Sequence, residues 1–230
     1  MEEVIVEDLL DNIIRGTFTP GELLPSENML SRRFNVPRMM VRSAYNHLEA
    51  RGYIRSIRGK GRFLSPPKRH VPLDLRSDIS FTEKVKALGA DLTTHNLGTK
   101  PVDYSKKIWT VIEKKKKERI FSISLLRVIA GEPIAVHTSF IRERLFPDII
   151  EIGDEITSMY SFFSERGYAD FDSINTTMNV TLPTLAEQTS LGCPSLVPVL
   201  LLEYETTARG TEIIQFNKVI YRGDRFKYRI

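Results

Sequence analysis

Leu24–Leu64 reads LPSENMLSRRFNVPRMMVRSAYNHLEARGYIRSIRGKGRFL. Ser26 is placed to cap a helix, because its hydroxyl can take up a free backbone N–H of the first turn. Met29, Leu30 and Phe34 supply that helix with a buried side, and Asn35-Val36-Pro37 ends it. Pro37 suits the first position of a new helix, where its missing N–H costs nothing. In that helix Val41, Ala44, Tyr45 and Leu48 share one side, while Met39, Arg42, Ser43 and Asn46 share the other, with Arg38 at the flank. Gly52 closes it. Tyr53–Ile57 and Arg62–Leu64 then read as short strands around the tip Arg58-Gly59-Lys60-Gly61.

Charge singles out the same stretch. Nine basic residues (Arg32, Arg33, Arg38, Arg42, Arg51, Arg55, Arg58, Lys60 and Arg62) stand against two acids, Glu27 and Glu49. Residues 1–70 hold 12 Lys+Arg and 8 Asp+Glu, whereas residues 71–230 hold 21 of each, so the net charge of +4 is confined to the first third. A basic surface on one part and a balanced one on the other points to nucleic acid at one end only. Singly, each arginine is as much at home on a solvated helix face; the clustering makes the case for a polyanion.

Working outward, Val6, Leu9, Leu10 and Ile13 recur at helical spacing and predict a first helix over Glu2–Arg15. Ser65–Leu75 holds three prolines without helical or strand period, and reads as a linker. Beyond it, Ser80-Phe81-Thr82-Glu83 is a capping box opening a helix to Leu88. Strand-like runs follow at Ile120–Val128, Pro133–Phe140, Asn175–Thr181, Val199–Arg209 and Glu212–Tyr221, with helix candidates at Tyr104–Lys115, Ile156–Arg166 and Leu185–Leu191. Strands and helices mixed in this way predict an α+β second domain.

Several classes of chemistry find no support. The lone Cys193 cannot form an internal disulfide, and His47, His70, His95 and His137 lack metal-ligand spacing, so neither metal nor cofactor is expected. Lys114–Lys117 reads as an exposed helix end. The N-terminus MEEVIVEDLL is acidic and periodic, unlike a signal peptide, and no apolar run approaches the roughly 20 residues of a membrane span. A cytoplasmic protein without membrane contact is expected. Without a nucleophile–base pair or paired acids, catalysis is not expected; an enzyme acting on a sugar phosphate and a nonspecific DNA-binding protein stand as the alternatives.

Leu24-Pro25-Ser26-Glu27, the Arg38/Val41-Arg42 set, Leu48-x-x-x-Gly52 and Gly59-Lys60-Gly61-x-Phe63 together resemble the winged helix-turn-helix domain of GntR-family bacterial transcription regulators. The resemblance implies that Arg38, Met39 and Arg42 lie on a helix that enters the major groove, where Arg reads guanine and an exposed Met can touch a thymine methyl. It places Lys60 and Gly61 at a wing tip near the minor groove, beside Arg58; from the residues themselves, the helix start at Ser26 suits a phosphate and Arg33 at the far end of that helix can contact the DNA backbone. Pro37, Met39 and Met40 depart from the Ser and Thr common around that helix start.

The remainder resembles the UTRA effector domain of the HutC-type branch, on Ser80–Glu83, Arg127 with Gly131-Glu132-Pro133, Ser158-x-Tyr160, and Gly210 through Phe226. That implies a chorismate-lyase-like antiparallel sheet, with Phe81, Thr82, Arg127 and Ser158 at the anionic end of a small molecule and His137, Gln215 and Tyr221 at its polar end. From the residues alone, Ser80–Glu83 is equally a plain capped helix and His137 equally a core histidine. Leu125 stands where a second Arg is common, and His137 and Gln215 stand where amino-sugar binders carry acids. A phosphorylated sugar and a less charged effector therefore both remain open. The expected organisation is a DNA-binding domain at 1–66, a linker at 67–77 and an effector-binding and dimerisation domain at 78–230. A homodimer would meet a pseudo-palindromic double-stranded operator.

Overall fold

The computed structural model describes residues 1–66, 71–74, 80–112, 118–208 and 212–229. These fall into two compact units. One holds the first five elements together with Leu182–Gln188 and Cys193–Val197; the other holds the rest of the described residues.

In the first unit, α1 (Glu2–Ile14), α2 (Glu27–Phe34) and α3 (Arg38–Ala50) precede a hairpin of β1 (Ile54–Ile57) and β2 (Gly61–Leu64). Ile5, Val6 and Leu9 from α1, Leu30 from α2, and Val41, Ala44, Tyr45 and Leu48 from α3 form one core with Leu24 and Ile54. Truncating a leucine in such a core to Ala costs about 2–5 kcal/mol. Ser26 caps α2 by accepting from Met29 N at 3.2 Å. Asn35 ends α2 at φ 51, and Gly52 follows α3 at φ 77. Each takes the left-handed geometry that Asn and Gly tolerate best.

Met29 departs from the sequence expectation, being 62% exposed. Leu30 and Phe34, four apart, share the inward face, and Met29 is turned about 100° from Leu30. Pro37 stands as the N-cap of α3 rather than its first residue.

The second unit is built on a six-stranded antiparallel sheet in the order β4-β5-β6-β9-β8-β7. Its strands are β4 (Leu92–Pro101), β5 (Ile120–Ile129), β6 (Glu132–Arg142), β7 (Asp172–Thr181), β8 (Val199–Ala208) and β9 (Glu212–Arg222). One face carries α4 (Phe81–Ala87), α6 (Ile149–Ile152) and α7 (Met159–Ser164). There Phe146, Ile149, Phe162 and Phe163 pack on Phe121, Ile123, Leu125 and Ile141. The opposite face carries α5 (Lys106–Ile112), whose Trp109 and Ile112 pack on Ile120 and Phe216. Helix α8 (Leu185–Leu191) precedes β8.

Three corrections concern element boundaries. β4 falls on LTTHNLGTKP, where no strand was expected. Within the linker expected at 65–75, Val71–Asp74 forms β3, paired in parallel with β10 (Phe226–Arg229). A lone proline-containing segment shows no period of its own, and its pairing comes from the far end of the chain. The helix expected over Tyr104–Lys115 is described only over Lys106–Ile112. Residues 67–70 and 75–77 of the expected linker, and Lys114–Lys117, lie outside the described residues.

Candidate functional site

The basic surface of the first unit is organised around an acid. Glu27, in the first turn of α2, receives Arg42 Nε at 3.1 Å and Arg42 Nη2 at 3.0 Å. Arg38 Nη2 lies 3.7 Å away and Arg62 Nη2 3.5 Å away. The hydrogen bond from Arg42 holds the Glu27 carboxyl below the usual glutamate range, against the opposing effect of burial. Arg38, Met39 and Arg42 are all exposed on α3, which gives one outward face of two guanidinium groups and a thioether.

Arg62 does a different job. It spans Glu49 Oε2 at 3.2 Å and Asn46 Oδ1 at 3.0 Å, and lies over the Tyr45 ring. It therefore ties the wing to α3. Arg58, Lys60 and Gly61 are exposed at the hairpin tip. Gly61 adopts φ +114, and a Cβ there would meet Leu23 Cδ1 at 2.7 Å. Arg33 is exposed at the end of α2, where Nη2 donates to Asp8 Oδ1 at 2.7 Å.

The second unit holds a cavity of about 800 Å³, counting the part open to solvent. Its floor follows from strand alternation. The registers Leu125↔His137, Ile123↔Ser139, Ser139↔Asn217, Ile141↔Gln215 and Tyr204↔Asn217 put alternate residues of β5, β6, β9 and β8 on one face. Arg127, His137, Ser139, Gln215, Asn217, Tyr221 and Tyr204 therefore line the same space. Phe81, Thr82 and Lys84 of α4 and Ser158, Met159 and Tyr160 at the start of α7 form the wall. Asn96 Nδ2 holds the segment before α7 by donating to Gly153 O and Ile156 O, each at 2.8 Å.

Arg127 is 5% exposed. Its Nη1 donates to Thr94 Oγ1 at 2.7 Å and to Thr157 O at 3.1 Å. Among the described residues its Nε has no hydrogen-bond partner, and no carboxylate pairs with the guanidinium. Burial lowers its pKa to about 10, so it is still a cation at neutral pH. Its Cζ lies 5.7 Å from the centre of the Phe81 ring.

His137 is wedged between aromatic rings, 4.7 Å from Phe81 and 5.5 Å from Tyr221 between centroids. Burial, reinforced by the charge of Arg127, pushes its pKa well below the ordinary imidazole value, so it is neutral. Burial likewise raises the Tyr204 and Tyr160 phenols. At the far side, Gln215 Nε2 and Asn217 Nδ2 both donate to Thr206 Oγ1, at 2.9 and 3.1 Å. Ser139 Oγ donates to Asn217 Oδ1 at 3.1 Å. His137 Nε2 and Gln215 Oε1 are buried without a partner among the described residues. Buried polar atoms rarely stay unpaired, so three such atoms around one cavity mark a place for a polar guest.

All seven residues expected at the effector site, Phe81, Thr82, Arg127, His137, Ser158, Gln215 and Tyr221, line this cavity. Ser139, Asn217, Tyr160 and Tyr204 also line it but were not anticipated. Period-two counting from His137 and Gln215 would have reached Ser139 and Asn217. Thr94 and Glu27 carried no such signal. Thr94 lies on the unexpected β4, and Glu27 stood in the motif Leu24-Pro25-Ser26-Glu27 without being given a role at the basic surface.

Residues 87–227 match the UTRA domain model, and residues 1–64 match the model of bacterial regulatory proteins of the gntR family. The HTH-type transcriptional repressor NagR of Bacillus subtilis is 26% identical over 224 residues, covering 97% of this chain and 91% of that protein. The mannosyl-D-glycerate transport/metabolism system repressor MngR of Escherichia coli is 23% identical over 228 residues, covering 97% of this chain and 92% of that protein. Among solved structures, PhnF from Mycobacterium smegmatis superposes with a TM-score of 0.62 at 24% identity, covering 97% of each chain, a likeness of fold.

Proposed function

Because the chain belongs to the gntR family of bacterial regulatory proteins, in its UTRA-domain branch, we propose that it is a transcriptional repressor whose hold on operator DNA is set by a small molecule at Arg127. In this reading residues 1–66 bind DNA, residues 78–230 bind effector and dimerise, and 67–77 join them. Arg38, Met39 and Arg42 read the major groove. Arg58, Lys60 and Gly61 follow the minor groove, and Ser26 and Arg33 meet phosphates. A homodimer presents two such helices to a pseudo-palindromic site.

The observation that carries the effector half is the state of Arg127. A guanidinium that is 5% exposed, faces no carboxylate among the described residues and leaves Nε unpaired is costly unless something anionic joins it. The effector is accordingly a small anion with hydroxyl groups, of the chemical class that spans sugar phosphates and related metabolites such as sugar acids. It shifts DNA binding by its differential affinity for the DNA-competent and DNA-incompetent states.

The test uses the full chain, a labelled operator fragment and fluorescence anisotropy. Arg42→Ala should weaken operator binding about ten- to a hundredfold, the scale of a lost bidentate base contact. Arg127→Ala should keep operator affinity and lose the response to effector. Equal affinity for operator and random duplex at physiological salt, or an unchanged effector response in Arg127→Ala, would sink the reading.

A further inference from the structure

Resting on the reading of the cavity as an effector site, we infer that its effector is a singly charged carboxylate on a hydroxyl-bearing skeleton, a sugar acid, rather than a doubly charged phosphate ester or an amino sugar. The geometry of Arg127 sets the charge. Nη1 is committed to Thr94 and Thr157 inside the protein. That leaves Nε and Nη2, the two nitrogens of one guanidinium edge, and a carboxylate fills such an edge with both of its oxygens.

Among the described residues the surroundings add one further cation, Lys84, and it stands on the wall away from the strand that carries Arg127. Leu125, two residues before Arg127 on β5, is a fully buried cavity residue where another cation would reach the same guest. His137 lies opposite Leu125 in the sheet and is neutral. Lys84 lines the wall half-buried and has interactions of its own within the protein. It is also adjacent to Glu83, whose carboxyl is held ionised by Ser80 in the capping box and whose charge reaches Tyr160 in the cavity. Helices α4 and α7 are seven and six residues long, and the Ser80 and Ser158 hydroxyls each take up one N–H of the first turn, that of Glu83 and that of Ser161. Neither helix offers a dianion a strong N-terminal field.

The other end fixes the rest of the ligand. Ser139, Gln215, Asn217 and Tyr204 are uncharged, and among the described residues no Asp or Glu lines the cavity. An ammonium group would be desolvated there with no counter-charge. Hydroxyls fit: one can donate to the unpaired Gln215 Oε1 and another can meet His137 Nε2.

Calorimetry on the full chain at about pH 7.5, with D-gluconate against D-glucose 6-phosphate and D-glucuronate against D-glucosamine, tests this. At least one sugar acid should bind about tenfold or more tightly than the phosphate and the amine. Lowering the pH to about 5.5, through the second phosphate pKa near 6, should strengthen glucose 6-phosphate binding and leave the sugar acid unchanged. A phosphate ester that equals or beats both acids at pH 7.5 overturns the inference, as does an absence of binding by either acid. If the winning anion is a phosphate and Arg127→Ala abolishes its binding, the effector-site reading stands while the carboxylate assignment falls. If Arg127→Ala leaves the winner's binding unchanged, the effector-site reading itself falls.

Discussion

Arg42 grips Glu27 along one edge of its guanidinium, Nε to Oε1 at 3.1 Å and Nη2 to Oε2 at 3.0 Å. On the surface proposed to meet DNA an acid would repel phosphate, so its presence there needs a compensating role. Glu27 also lies within ion-pair reach of Arg38 and Arg62, and so links α2, α3 and the wing. A guanidinium held in one orientation before it meets a base loses less entropy on binding. Glu27→Gln removes this ordering while adding a unit of positive charge to the surface. Operator affinity should fall about tenfold, nonspecific duplex affinity should hold or rise, and the ratio of the two should narrow. Anisotropy titrations against both duplexes read that ratio directly; an unchanged ratio rules out an ordering role.

His137 gives the second unit a specific acid sensitivity. Its folded pKa lies well below the ordinary 6.5, because burial and Arg127 oppose its charge. Between those two values the unfolded chain binds a proton that the folded chain does not, so stability rises with pH across that window. The contribution is fully present above about pH 6.5 and is lost as the medium becomes more acidic. Thermal melting of the wild type from pH 8 down to pH 5 should show this loss, and His137→Gln should show a shallower slope. Parallel slopes for the two proteins would contradict a buried neutral imidazole.

The wing separates its two glycines. Gly59 adopts φ +75 with open space where a Cβ would go, whereas Gly61 adopts φ +114 with Leu23 Cδ1 at 2.7 Å from that point. Gly59→Ala meets only the backbone preference, about 1 kcal/mol. Gly61→Ala meets strain at a more forbidden φ and must also displace Leu23, and should cost about 1–3 kcal/mol. Chemical denaturation of both variants tests the order; a Gly61→Ala loss no larger than that of Gly59→Ala would refute it.

The sequence made some of this legible for physical reasons. The stripe Val41, Ala44, Tyr45 and Leu48 has a single helical solution, and every member is buried. The capping box at Ser80 and Glu83 appears with both reciprocal hydrogen bonds. LTTHNLGTKP was opaque because Asn96, Gly98 and Pro101 interrupt a run whose β-branched threonines alone would favour a strand. It becomes β4 by pairing with β5, with a register shift between Asn96 and Thr99. The cavity shows the same division. Alternation along each strand places Ser139 with His137 and Asn217 with Gln215, but only the cross-strand registers bring the two pairs together and add Tyr204.

The sheet's two edges differ, and the difference bears on the proposed dimer. Both edge strands carry a register shift, but β4 is further blunted: it holds Lys100 and Pro101, and Asp154 Oδ1 accepts from Thr99 N at 2.7 Å. β7 ends the other side of the sheet with no charged residue from Ser173 to Thr181, and leaves Met178 50% and Val180 74% exposed. Long, neutral, partly apolar edges invite pairing, and proteins that avoid it place Lys or Pro there. In the proposed dimer a second copy would occupy this edge. Two β7 strands meeting antiparallel about a two-fold axis bring no like charges together and form an isologous contact. Val180→Lys should therefore convert the dimer to a monomer at about 10 µM protein in light scattering. Because the substituted side chain is already exposed, its melting temperature at a concentration where the wild type is also monomeric should be unchanged. A Val180→Lys protein that remains fully dimeric would place the dimer contact elsewhere on the chain.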